Sequence, residues 1–149
     1  MLGKSACLGY KRTSTFILLA CVWVFTLTAC EAASTARDSA GPTIVQITTS
    51  NQSFSIDCPP TSITVTANIT DISEVKSAAL WYRVGSDQPY ISKNMDASNH
   101  IYSATVKGIE LPPGPYGAWE FYITAENTAG NSNKSSVDNS IQFLPCVSN

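Results

Sequence analysis

Five cysteines and a single histidine are the residues of this chain best equipped for chemistry. An ionised thiol can be alkylated, oxidised to a disulfide or used as a metal ligand, and an imidazole can move protons near neutral pH. His100, however, lies in a Ser98-Asn99-His100 stretch before Ile101, the setting of a solvated turn residue rather than of a general base. The cysteines are spread over positions 7, 21, 30, 58 and 146, without the His and Cys clustering that a zinc site needs. The chain has no Gly-x-Ser-x-Gly elbow, no His-Glu-x-x-His pair and no phosphate loop. These residues predict a protein that is not an enzyme and that uses neither cofactor nor metal. The chemistry to be explained is that of the thiols and of the aromatic side chains.

Cys30 closes the segment Phe16 to Ala29, FILLACVWVFTLTA, which is preceded by Lys11 and Arg12. A basic stretch followed by a short apolar run is the pattern of an export signal. The run is shorter than the roughly 20 residues of a comfortable membrane span. No charged residue gives it the solvent face of an amphipathic core helix. Its last residues, Leu27-Thr28-Ala29-Cys30, resemble the lipobox of bacterial lipoproteins, in which an aliphatic residue and two small ones precede the cysteine. The resemblance implies that residues 1–29 are a signal peptide, that the Cys30 thiol receives a diacylglyceryl group and that cleavage leaves Cys30 at the new amino terminus. The product would be held on the outer face of a bacterial membrane, in the cell envelope. The alternative is ordinary signal-peptidase cleavage near Ala32-Ala33, giving a secreted domain without an anchor.

With Cys7 and Cys21 lost with the signal and Cys30 carrying lipid, Cys58 and Cys146 remain to pair in an oxidising compartment. Three of the nine basic residues, Lys4, Lys11 and Arg12, precede the apolar run, so six basic residues face eleven acidic ones in the remainder, a charge of about −5. Such a balance excludes a nucleic-acid partner.

Residues 30–41 form the expected tether. Glu31 to Gly41, EAASTARDSAG, is small and polar without apolar periodicity, and when fully extended would reach about 36 to 40 Å. Residues 42–149 are the expected domain. Ser62 to Ile69 alternates Ile63, Val65, Ala67 and Ile69 with polar residues, the period-2 signature of a half-buried strand. Ala78 to Val84 and Trp119 to Asn127 alternate in the same way, setting Trp81, Arg83, Glu120 and Tyr122 on the outward side. Weaker strands are expected at Thr43–Thr48, Tyr90–Met95, Ile101–Val106 and Ser136–Phe143. Turn-forming residues separate these runs, and no segment carries a capped helical pattern of ten residues. Seven short antiparallel strands predict an all-β sandwich.

The run WEFYITAENTAGN, Trp119 to Asn131, followed by a polar strand and a terminal cysteine, resembles the end of bacterial immunoglobulin-like and fibronectin type III-like modules. Val75, Ala78, Leu80 and Tyr82 resemble the strand that pairs with it. The resemblance implies a seven-stranded immunoglobulin-like topology. Antibody domains differ in having an inter-sheet cysteine pair and an inward tryptophan at the position of Trp81.

If seven strands alternate up and down, the second begins at the end where the seventh stops. Cys58 and Cys146 then meet there, and the tether joins the opposite end. The loops Gly85–Pro89 and Gly108–Tyr116 would point away from the membrane.

Two binding chemistries follow. Asp71 and Glu74 in one turn, with Glu126, Asn127 and Asn131 in another, are oxygen donors of the kind calcium takes, although Gly130 and Asn131 also suit a tight turn on their own. A calcium-stabilised adhesion module is therefore an alternative. Trp81, Tyr90, Tyr116 and Tyr122 are candidate contacts for a glycan or an envelope protein, since exposed rings offer large contact area at low entropic cost. Against that stands a purely cross-strand packing role for Trp81 and Tyr122.

Overall fold

The computed structural model describes residues 38–111 and 116–146. The expected signal peptide, Cys30 and the tether up to residue 37 lie outside the described residues, as do positions 112–115 of the Leu-Pro-Pro-Gly-Pro stretch.

Among the described residues ten strands form: β1 (Thr43–Thr49), β2 (Ser53–Ser55), β3 (Ser62–Thr70), β4 (Val75–Val84), β5 (Ile91–Asn94), β6 (Asp96–Ser98), β7 (Ile101–Lys107), β8 (Gly117–Asn127), β9 (Ser132–Lys134) and β10 (Asp138–Leu144). One sheet has the order β1-β3-β7-β6 and the other β2-β10-β8-β4-β5, with β9 also paired to β8. The two sheets pack into an all-β sandwich. A 3-10 turn at Gly108–Glu110 is the only helical element among the described residues.

The alternation read from the sequence decides which side chains meet between the sheets. Ile63, Val65, Ala67 and Ile69 of β3 are fully buried, as are Leu80 of β4 and Trp119, Phe121 and Ile123 of β8. Each large side chain of this kind gains about 1.5–3 kcal/mol from leaving water. Phe54 lies edge-on to Trp119, with ring centroids 5.6 Å apart, and packs 5.2 Å from Phe143, so that β2 and β10 help close the core.

Seven of the strands are those expected, with shifted ends, while β2, β6 and β9 were not foreseen. Each has three residues, too few for a period-2 pattern to register. The sandwich is also not wholly antiparallel, because β2 runs parallel to β10. The reason is a change of sheet without a change of direction. Ser50 N still donates to Thr64 O of β3, whereas Gln52 O already accepts from Gln142 N of β10. The change of sheet just after the expected strand Tyr90–Met95 is similar: Met95 is buried, its N–H donates to Ala78 O, and Asp96 then pairs with Ser103 in the other sheet. In β1 the register shifts between Val45 and Thr48, with Gln46 at φ 52°. This bulge lets Ile44 and Ile47, an odd spacing apart, both pack against the core.

Cys58 and Cys146 are disulfide-bonded, with Cα atoms 5.4 Å apart and a sequence separation of 88. They lie where β3 begins and β10 stops, the end expected from strand parity. Cys58 N donates to Ser55 Oγ at 3.0 Å, tying the bridge to β2.

At the opposite end, the last residues of the expected tether are bound to the sandwich. Asn131 Nδ2 donates to Asp38 O at 2.8 Å and Asn127 Nδ2 to Ala40 O at 2.9 Å. Gly41 runs so close to β9 that an added Cβ would lie 2.5 Å from Ser132 O, which leaves room for glycine alone. Small polar composition is shared by free linkers and by segments that hydrogen-bond as they pass, so the sequence does not separate the two.

Candidate functional site on the outward face of β4 and β8

The antiparallel register of β4 and β8 sets Trp81 opposite Tyr122, Arg83 opposite Glu120 and Ala79 opposite Thr124. All of these point away from the core, because their neighbours Leu80, Tyr82, Phe121 and Ile123 point into it. The indole of Trp81 and the ring of Tyr122 are nearly parallel, 7° apart in plane with centroids 6.0 Å apart. Trp81 Nε1 donates to Thr124 Oγ1 at 3.0 Å, which fixes the indole's direction. Tyr90, in the residue before β5, meets Tyr122 edge-on at 4.8 Å. Three of the four aromatic residues singled out in the sequence therefore form one half-buried row. Tyr116 does not join them. It packs against Phe143, with centroids 5.4 Å apart, beside the start of β8, and keeps 48% of its surface exposed.

Charged side chains frame the row. Lys134 Nζ stands 3.7 Å from the Tyr122 ring centre, and the Arg83 guanidinium 4.4 Å from that of Tyr90. Arg83 forms a two-point contact with Glu120, through Nε at 2.8 Å and Nη2 at 2.6 Å from Oε2. Its Nη1 donates to Ser86 O at 2.6 Å, holding the Gly85–Pro89 turn. Hydrogen bonding to Glu120 raises the Arg83 pKa above its ordinary value. The Tyr90 hydroxyl donates to Glu120 at 3.2 Å, and desolvation, ahead of the nearby charges, pushes its pKa up. Tyr90 thus stays neutral and Arg83 stays charged at physiological pH. The outward side of Arg83 and Glu120 was legible from alternation. Their pairing, and the placement of Lys134 over Tyr122, required the register.

The oxygen-rich turns at the other end also come together, in part. Asp38 Oδ2, Ala40 O and Asp71 Oδ1 converge on Asn127 Nδ2 at 3.0, 2.9 and 3.1 Å, and Asn127 Oδ1 accepts from Asn131 N at 2.8 Å. Asn127 is completely buried. A neutral amide donor thus occupies the point where the oxygens meet. Glu126 points outward instead and pairs with Lys76 at 2.6 Å, while Glu74, at φ 66°, contributes its carbonyl to Thr128 N. No group of three His, Cys, Asp or Glu residues is placed to hold a metal among the described residues. Asp38 was missed as a partner because it precedes the first strand by sequence and meets Asn127 only through the fold.

Asn99 and His100, at φ 49° and 65°, form the two-residue turn joining β6 to β7, with Ser98 paired to Ile101. His100 is an exposed turn residue, as its sequence context suggested.

No protein-family model matches this chain, and no curated protein matches it. Its function is therefore to be argued from its own residues. The outward face of β4 and β8 joins aromatic surface to fixed hydrogen-bonding groups, a combination suited to recognition.

Proposed function

We propose that this chain is a lipid-anchored cell-envelope module of immunoglobulin-like topology that binds a surface polymer or envelope protein through the outward face of β4 and β8, without catalysis. The observation that carries the reading is the gathering of Trp81, Tyr90 and Tyr122, from three separate stretches of sequence, into one half-buried row on the outward face. Cross-strand packing is satisfied by Trp81 and Tyr122 alone. The addition of Tyr90, oriented by Glu120 and Arg83, exceeds what pairing two strands needs. The sheet order β1-β3-β7-β6 against β2-β10-β8-β4-β5 supports an immunoglobulin-like topology. The Leu27-Thr28-Ala29-Cys30 sequence supports lipid attachment at Cys30.

Mass spectrometry of the mature amino terminus tests the anchor. A diacylglyceryl group on Cys30 is expected, whereas a first residue beyond Cys30 would establish the secreted alternative. For the binding face, Trp81→Ala combined with Tyr122→Ala should abolish retention on a panel of envelope polymers while the protein still melts cooperatively. Undiminished retention would reduce the row to packing.

A further inference from the structure

Within the aromatic row, the ring faces are not equally available. Tyr122 has Trp81 parallel to it on the β4 side, Lys134 Nζ over its ring and Tyr90 edge-on. Little of its face remains for a ligand. Trp81 differs. On its β8 side it meets Tyr122, but on its β5 side the register partner is Ser92, too small to cover an indole. One register step along the same outward face, Ala79 lies between Asn94 of β5 and Thr124 of β8. The missing bulk at Ala79 leaves a trough of about 280 Å³ lined by Ser77, Ala79, Asn94, Thr124, Glu126 and Ser132. This is close to the lower end of small-ligand clefts, about 300 Å³.

Resting on the reading of this face as a binding surface, we infer that the ligand seat is the trough over Ala79 beside Trp81, and that it takes a neutral pyranose unit of a glycan. A pyranose has an apolar C–H face, which an indole face accommodates, and a rim of hydroxyls that both donate and accept hydrogen bonds. The trough supplies the complement. Thr124 Oγ1 is oriented by the indole N–H, and among the described residues no side-chain hydrogen bond engages Ser77, Asn94 or Ser132. The charge balance selects against an ionised ligand. Glu126 is matched by Lys76 at 2.6 Å, and Lys134 lies on the Tyr122 ring. Among the described residues, Lys76 and Lys134 are thus already engaged rather than free to bind a uronate or phosphate. Tyr90 and the Arg83–Glu120 pair lie on the far side of Trp81 from the trough and buttress the row.

The test titrates the full-length lipidated protein in detergent micelles with soluble neutral tetrasaccharides (gluco, manno and N-acetylglucosamine series) and with polygalacturonate, following tryptophan emission. Saturable binding of at least one neutral series is expected. Ala79→Leu, which fills the trough at an outward strand position, should weaken it about tenfold or more, an increment of about 1.4 kcal/mol, with the melting temperature unchanged. Thr64→Val, at an outward position of β3 in the other sheet, should leave the affinity unchanged. If Ala79→Leu binds like the parent while the Trp81→Ala and Tyr122→Ala double variant does not, the trough is wrong and the aromatic face stands. Binding of polygalacturonate alone overturns the neutral class. No saturable binding to any sugar, with retention on envelope protein intact and dependent on Trp81, overturns the glycan and leaves the binding face.

Discussion

The outward positions of β3 and β7 pair Thr64 with Thr105 and Thr66 with Ser103, and the two threonine hydroxyls hydrogen-bond at 2.8 Å. The equivalent positions of β4 and β8 pair Trp81 with Tyr122 and Arg83 with Glu120. Both pairs of strands are central in their sheets and bury aliphatic and aromatic residues on the other side. The first sheet shows that short hydroxyl side chains suffice to finish a solvated face of this sandwich. The aromatic row on the second is therefore more than strand pairing demands. Rings add cross-strand attraction, but they leave apolar surface at the solvent boundary, which is useful chiefly where something docks.

Five measurements put this contrast to the test, beginning with the strongest expected effect. Trp119, inward on β8 only three residues from Tyr122, is fully buried, so Trp119→Ala should cost about 3–5 kcal/mol in chemical unfolding. A loss as small as that expected at Trp81 would mean that inward and outward rings are not energetically distinct. Asn127, the polar end of the same inward row, holds Asp38, Ala40 and Asp71; Asn127→Ala should cost about 2–3 kcal/mol by leaving these partners unsatisfied. Replacing Trp81 and Tyr122 together by Thr rebuilds the second face in the style of the first. It should lower stability by only about 1 kcal/mol while ligand retention disappears. A cost several times larger would return the row to a packing role.

Acid supplies the fourth measurement. The Ser73 hydroxyl, followed by the Ala40 N–H, holds the Asp38 carboxyl below its ordinary pKa. A depressed folded-state value means that the contribution is present above the unfolded pKa, about 3.9, and is lost as pH falls through the lower folded value. Melting curves should therefore show a small acid-dependent step below about pH 4 that Asp38→Asn removes, with no change at either outward face. The smallest effect is expected for Thr64→Val with Thr105→Val. Stability should move by no more than about 0.5 kcal/mol in either direction, and ligand retention should be unaffected.

Much of this was written in the alternation of β3, β4 and β8. A strand that is apolar at every second position can bury only one face, so Ile63, Leu80, Trp119 and Phe121 were bound to be inside and Trp81 and Tyr122 outside. The partnership of Cys58 with Cys146 followed from counting the thiols left after Cys7, Cys21 and Cys30 had been assigned elsewhere, and strand parity brought the two to one end. The three-residue strands β2, β6 and β9 left no periodic trace, and the parallel run of β2 beside β10 depends on a sheet change that no local pattern encodes.

Facing direction is a property of a residue and its immediate neighbours, because successive side chains on a strand point to opposite sides. The amino-acid order thus determined that this chain makes a two-sheeted β-structure with an aromatic outward face. Which outward residues touch is a property of register, set by long-range pairing between β4, β5, β8 and β9. Only the folded chain could decide that Tyr90 joins the row while Tyr116 turns to Phe143, that Asp38 reaches Asn127, and that Ala79 opens a trough beside Trp81.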